Sequence, residues 1–356
     1  MTILQGLIEN AARDSGIQTQ TRPLTPIEIN NLQEWILQMT EDMGINSKNS
    51  PLDLWIKSVP NGFVIKPSIS LDDITLTVVC PDQTRSGIEL FAKQQLVSIL
   101  VSIHKALGVY SKVTRAIPCH VVFIADRTFK RTLPSTGQPI QPHHINGALT
   151  TFARQPTNNP WRILVYRWSD AVKCLIHELV HLNKIHVMPQ DTAAELAFAS
   201  RNQIILALPM MRLAIQETIT EVLALYILSV WTGKDEVDQV LTMVQQKNDA
   251  LAALFISHFP GWINQNGSYL EGTHSYAYVI ARAALWTDIK IFIRDLENGT
   301  ISTTRDLLNR ISSQQPALFE RVQKIEMIQS IPKDLLLSPL YYITLQRKVY
   351  KENDLQ

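Results

Sequence analysis

The stretch SDAVKCLIHELVHLNKIH, residues 169–186, places three histidines and a glutamate in a largely apolar run. His177, Glu178 and His181 form the pattern H-E-x-x-H. Positions four apart share one face of a helix, so both imidazoles can reach one metal ion while the glutamate acts on a metal-bound water. The apolar neighbours predict a buried helix, in which two unpaired histidines beside a carboxylate would be costly. The motif therefore predicts a catalytic site with one zinc ion per chain.

The third histidine, His186, does not fit the longer pattern H-E-x-x-H-x-x-G-x-x-H. That pattern needs a glycine at position 184 and a histidine at position 187. The chain has Lys184 and Val187 there. We therefore expect His186 to lie at the surface or beside a metal ligand, and not to bind the metal itself.

A third zinc ligand is predicted from QETITE, residues 216–221. A catalytic zinc takes three protein ligands and keeps one position open for water. Glu217 and Glu221 are four apart in a strongly apolar helix pattern, so they share one face. We expect Glu217 to bind zinc and Glu221 to orient a zinc-bound imidazole through its distal N–H. The alternative is that both carboxylates lie on a solvated stripe.

These two motifs together resemble the gluzincin metallopeptidases, the thermolysin-like group. That group carries H-E-x-x-H and then Asn-Glu-x-x-x-Asp, and this chain has Gln216-Glu217 and Glu221 at the corresponding places. The resemblance implies a zinc-dependent peptidase with Glu178 as general base. The motifs are farther apart than in thermolysin, which predicts an inserted hairpin or loop over residues 187–203.

The resemblance also implies groups that complete the chemistry. Gluzincins support the oxyanion with a tyrosine or histidine from the second half of the domain. The segment GTHSYAY offers, in order of preference, Tyr276, Tyr278 and His274. Aromatic packing of a helix is the alternative role for these residues. Zincins also bind an extended substrate along an antiparallel edge strand, and INGALTTF predicts such a strand with three substrate-binding residues, Asn146, Gly147 and Ala148.

Three short blocks show a weaker similarity to uncharacterised zincin-like proteins encoded by large DNA viruses. The first is INGALT followed by ILVYRWSDAVKCLIHELVH, the second is QETITEVLALY and the third is THSYAYVIARAAL. This similarity implies a viral protein, located in the host cytoplasm or the virion.

The pattern of elements predicts an α+β, zincin-like fold. A mixed α/β subdomain with an antiparallel edge strand precedes an all-helical subdomain, and the active-site helix joins them. The predicted domains are a helical segment at 1–60, an α+β subdomain at 61–186 and a helical subdomain at 187–356. Expected details include strands at Phe63–Ile65 and Ile74–Val79 and a C-cap at Gly108. Others are an N-cap at Ser169, one helix from His274 to Gly299 and a helix break at Pro316.

The composition of the chain indicates which classes of partner are not favoured. A net charge of +1 over 356 residues gives no case for nucleic acid or a membrane surface. The apolar windows are too short or interrupted to span a bilayer, and three cysteines without C-x-x-C spacing indicate buried thiols in a reducing compartment. We expect a soluble, intracellular protein whose partner is a protein or peptide substrate.

Two other functions stay open at this point. One is a non-catalytic virion or scaffold protein whose structural zinc is closed by four protein ligands, with Cys174 as the nearest soft candidate. The other is a carboxypeptidase or aminopeptidase of the same fold, in which Arg167 or Arg282 would clamp a chain terminus.

Overall fold

The computed structural model describes residues 1–13, 17–42, 51–68, 74–81, 85–112, 118–128, 147–150, 160–201, 208–233, 236–258 and 277–326. The chain divides into two compact units. The described part of the first, called the sheet unit, comprises residues between 7 and 128 and residues 147–150 and 160–185. The described part of the second, called the helical unit, comprises residues 1–6 and residues between 186 and 326. The chain begins with α1 (Ile3–Arg13), which contains residues of both units.

The sheet unit is built on one mixed sheet of six strands. They are β1 (Thr19–Pro23), β2 (Phe63–Pro67), β3 (Ile74–Val79), β4 (Cys119–Ile124), β5 (Ala148–Thr150) and β6 (Trp161–Val165). Their order in the sheet is β1-β2-β3-β4-β6-β5. β3, β4 and β6 are parallel neighbours, whereas β1, β2 and β5 are antiparallel to the strands beside them. The predicted α+β class and the strands predicted near Phe63 and Ile74 are confirmed.

Apolar side chains explain which helices pack in the sheet unit. These helices are α2 (Pro26–Asp42), α3 (Leu52–Ser58), α4 (Arg85–Phe91), α5 (Val97–Tyr110) and α6 (Ala171–Leu182), and a π-helical turn joins α4 to α5. One face of α2 buries Leu32, Trp35 and Ile36 in a core that includes Leu164 of β6. Ile27 lies in the first turn of the same helix and is 73% exposed. The C-cap predicted at Gly108 is also wrong, because α5 continues to Tyr110.

An ion pair fixes the beginning of α2. The Arg22 guanidinium lies 2.6 Å from the Glu28 carboxylate, which also accepts hydrogen bonds from the backbone N–H and the hydroxyl of Thr25. Thr25 is followed three residues later by a glutamate, so the local sequence is a capping box. The hydrogen bond from Arg22 is the main cause that lowers the pKa of Glu28 to about 2.

Helices alone form the described part of the helical unit. They are α7 (Thr192–Arg201), α8 (Leu208–Gly233), α9 (Val237–His258), α10 (Arg282–Trp286), α11 (Ile289–Glu297) and α12 (Thr304–Glu326). A π-helical segment, Ala277–Ala281, leads into α10. Glu195 of α7 is fully buried, where it pairs with Arg212 of α8 and accepts a hydrogen bond from Thr304 of α12.

Three predictions about these helices are wrong. The region expected to hold an inserted hairpin or loop contains α7. The helix expected to run without interruption to Gly299 is broken between α10 and α11, where Asp288 has a non-helical ψ of 49°. The break expected at Pro316 is absent, since Pro316 lies inside α12. Buried Leu318 and Val322 follow it, so packing outweighs the backbone hydrogen bond that proline removes.

One described helix is long and apolar enough to cross a membrane, namely the Arg212–Gly233 part of α8. This corrects the expectation that the apolar windows would be too short or too interrupted to cross a membrane. However, 83% of its most apolar window is buried inside the protein, as is usual for the core helix of a soluble protein.

All three cysteines, Cys80, Cys119 and Cys174, are buried thiols that form no disulfide, as expected from the sequence. Burial raises the pKa of the Cys119 thiol, so this group behaves as a small apolar side chain.

Candidate metal centre

The metal-motif helix α6 begins at a turn that an arginine stabilises. After β6, the segment Trp168–Asp170 forms a 3₁₀ turn, so Asp170 and not Ser169 is the residue that precedes α6. The predicted N-cap at Ser169 is therefore wrong by one position. The Asp170 carboxylate lies 2.9 Å from the Arg167 guanidinium, and both side chains are buried. The Arg167 guanidinium also lies against Gly147, where an added Cβ would come within 2.6 Å of Nη2.

Every residue of α6 is buried, as the apolar composition predicted. His177 and His181 are 6% and 7% exposed, so neither imidazole lies on a solvated face. Their Nε2 atoms are 3.1 Å apart. The helical spacing of the motif therefore directs the same nitrogen of both rings to one point.

Glu217 of α8 joins the two histidines in a candidate metal-binding group. One ligand atom from each of the three residues lies within 4.8 Å of the others. Within the described residues the group has these three members, and Cys174 is not one of them. The Cys174 sulfur instead lies 3.9 Å from Nη2 of Arg167. The chain therefore has a His-His-Glu donor set that can hold a metal ion.

Glu178, the predicted general base, is held by a residue that sequence reasoning did not identify. The hydroxyl of Thr150, at the end of β5, donates to Oε2 of Glu178 over 2.6 Å. It also lies 3.3 Å from the Glu178 backbone carbonyl. Glu178 is 5% exposed, so this hydrogen bond forms in a largely desolvated setting. The strand containing Thr150 was predicted, but the local sequence does not indicate which helix covers its face.

Glu221, predicted to orient an imidazole, forms a buried ion pair with Arg282 of α10. Its Oε1 lies 2.6 Å from Nη1 of Arg282, and the two side chains are 1% and 2% exposed. Arg282 and Arg167, the two residues considered as a clamp for a chain terminus, are each buried in an ion pair. No local motif links positions 221 and 282, so only the fold could show this pair.

The chain turns sharply after α6. The Asn183 side chain donates to the Leu179 carbonyl over 2.8 Å and lies 3.1 Å from Nδ1 of His104, a residue of α5. Lys184 has a φ of 54°, in the left-handed region that favours glycine.

The chain then reaches His186. This histidine is 4% exposed, so of the two expected positions, at the surface or beside a metal ligand, the surface position is wrong. In the helical unit it lines a small cavity together with Gln190, Arg212 and Gln216.

The structure describes some of the other predicted site residues. Gly147 is the residue before the edge strand β5, and Ala148 is the first residue of that strand. The Gly147 carbonyl accepts hydrogen bonds from the backbone N–H groups of Tyr166 and Arg167. Asn146, His274 and Tyr276 lie outside the described residues. Tyr278 lies in the π-helical segment before α10, and its side chain is also outside the description.

The chain matches no protein-family model, no curated protein and no solved structure.

Proposed function

We propose that this chain is a zinc-dependent peptidase of gluzincin type, in which His177, His181 and Glu217 hold the metal. The observation that carries the proposal is the convergence of their ligand atoms within 4.8 Å. Two ligands on a tetrahedral zinc, each bonded at about 2.05 Å, are separated by about 3.3 Å. The two Nε2 atoms are 3.1 Å apart, which is close to this value.

The number and type of donors also fit a catalytic metal better than a structural one. Catalytic zinc commonly has three protein ligands from histidine and carboxylate side chains, whereas structural zinc is closed by four, often cysteines. The described group has three members and no sulfur. When bound there, zinc would act as a Lewis acid toward a carbonyl oxygen and a water molecule.

Glu178 would move the proton in this mechanism. It neighbours His177 in sequence, it is buried, and Thr150 fixes one of its carboxylate oxygens. Its carboxylate would accept a proton from the water that attacks the carbonyl carbon and return it to the peptide nitrogen, which leaves as an amine when the C–N bond breaks. Tyr276, Tyr278 or His274 would stabilise the negative charge that develops on the carbonyl oxygen.

The edge strand β5 would align an extended peptide. It stands at one end of the described sheet and is antiparallel to β6. An extended substrate can add to such an edge through main-chain hydrogen bonds. The Gly147 carbonyl is already used within the sheet, and hydrogen-bonded pairs alternate along the two strands, so we assign main-chain recognition to Ala148 and Thr150.

The test combines metal content with peptide cleavage in wild type and Glu178→Gln. We expect the variant to retain as much zinc as wild type and to lose cleavage of a peptide library, since the amide cannot accept the proton. Glu320→Gln is a control for the same chemical change, because Glu320 is 71% exposed on α12. Equal cleavage by wild type and Glu178→Gln would refute the assignment.

A further inference from the structure

Thr150 links the edge strand to the predicted general base through one short hydrogen bond. Its Oγ1 is 2.6 Å from Oε2 of Glu178, although the residues are 28 positions apart in sequence. A length of about 2.5–2.7 Å is typical when a hydroxyl donates to an ionised carboxylate, and such bonds are about twice as strong as neutral ones. The bond therefore restrains the rotation of the Glu178 carboxylate.

The main chain of Thr150 faces a different direction from its side chain. In the β5–β6 pair, Ala148 lies opposite Val165 and Thr150 opposite Ile163. The Gly147 carbonyl accepts from the Tyr166 N–H, so this neighbouring pair is hydrogen-bonded across the two strands. Because hydrogen-bonded and non-hydrogen-bonded pairs alternate in antiparallel strands, Ala148 and Thr150 direct their backbone N–H and C=O groups away from β6.

We propose that Thr150 is a positioning residue that sets the Glu178 carboxylate in register with a peptide bound along β5. This inference rests on the proposed peptidase function. The backbone of Thr150 would pair with the substrate while its hydroxyl holds the base, so a single residue relates the scissile bond to the carboxylate. A carboxylate displaced by about 1 Å can lower the rate about 100-fold.

The kinetic test compares Thr150→Val with Thr150→Ser, using one fluorogenic peptide that the wild type cleaves. Valine keeps the shape of threonine and its preference for a strand but removes the hydroxyl. We expect kcat to fall by about 10- to 100-fold with little change in KM, and we expect serine to restore most of the rate. Thr75→Val is the matched control, since Thr75 is a strand threonine whose hydroxyl lies 2.6 Å from His120. An unchanged kcat in Thr150→Val, or a loss that serine does not restore, would overturn the proposal.

A second readout does not depend on activity. In crystal structures of the metal-free protein, the Glu178 carboxylate should lie against Thr150 in wild type and adopt another rotamer in Thr150→Val. A carboxylate that stays in place in the valine variant would overturn the positioning role. If the wild type binds zinc but cleaves no peptide, the proposed function fails, and the two crystal structures still decide whether Thr150 fixes Glu178.

Discussion

The buried pair of Glu221 and Arg282 gives the sharpest prediction about the stability of the helical unit. The two charges are 2.6 Å apart and are 1% and 2% exposed. Removing one partner of such a pair leaves a buried charge without compensation and costs about 3–5 kcal/mol. We therefore expect Glu221→Gln and Arg282→Met each to destabilise this unit by that amount. The double variant should be less destabilised than the sum of the two, by about 2 kcal/mol.

Hydrogen exchange followed by mass spectrometry is the suitable assay. It reports the opening free energy of α8 and α10 separately from the sheet unit, so a single transition for the whole chain need not be assumed. Glu320→Gln is the control, because it removes the charge of a helical carboxylate that is 71% exposed. We expect its exchange rates to equal those of wild type. If the single variants cost less than about 1 kcal/mol, as exposed pairs do, the reasoning from burial is refuted.

Three further predictions use residues of both units. Gly147→Ala should destabilise the protein by about 1–3 kcal/mol in chemical denaturation, because its Cβ would lie 2.6 Å from a buried guanidinium. Gly108→Ala, with nothing within 4 Å of the added Cβ, should be neutral or stabilising. If the two alanine variants lost the same free energy of unfolding, this account would be contradicted. The lowered pKa of Glu28 makes its ion pair contribute stability above pH 4.5, and this contribution should be lost as pH falls toward about 2. Because the ion pair is partly exposed, this contribution is limited to about 0.5 kcal/mol. The free energy of unfolding of wild type should therefore fall between pH 6 and pH 2.5 by this amount more than that of Glu28→Gln. In chelator competition, zinc retention should decrease from wild type to Glu221→Gln to Glu217→Ala, and the reverse order of the two variants would exchange their roles.

Local patterns in the sequence predicted the burial of α6 and the edge strand β5 that precedes it. Burial could be predicted because His177 and His181 lie among apolar residues, which are buried whichever element packs against them. The spacing of the histidines is also a property of one helix. Their convergence therefore follows from helical geometry alone.

Contacts between distant segments could not be predicted in this way. The hydrogen bond from Thr150 to Glu178 and the ion pair of Glu221 with Arg282 join residues 28 and 61 positions apart. The ends of helices were also predicted wrongly where tertiary packing competes with the helix-ending preferences of single residues. Helix α12 continues past Pro316 because its apolar residues pack in the core. The 3₁₀ turn at Trp168–Asp170 places the residue that precedes α6 one position after Ser169.

X-ray absorption at the zinc edge, combined with metal content of the full chain, tests the central claim most directly. We predict one zinc ion per chain with nitrogen and oxygen ligands at about 2.0–2.1 Å, and imidazole scattering from two histidines. Glu217→Ala should lower the zinc content and change the spectrum. A chain that binds no stoichiometric zinc, or a spectrum with sulfur at about 2.3 Å or four protein ligands, would contradict the catalytic His-His-Glu site.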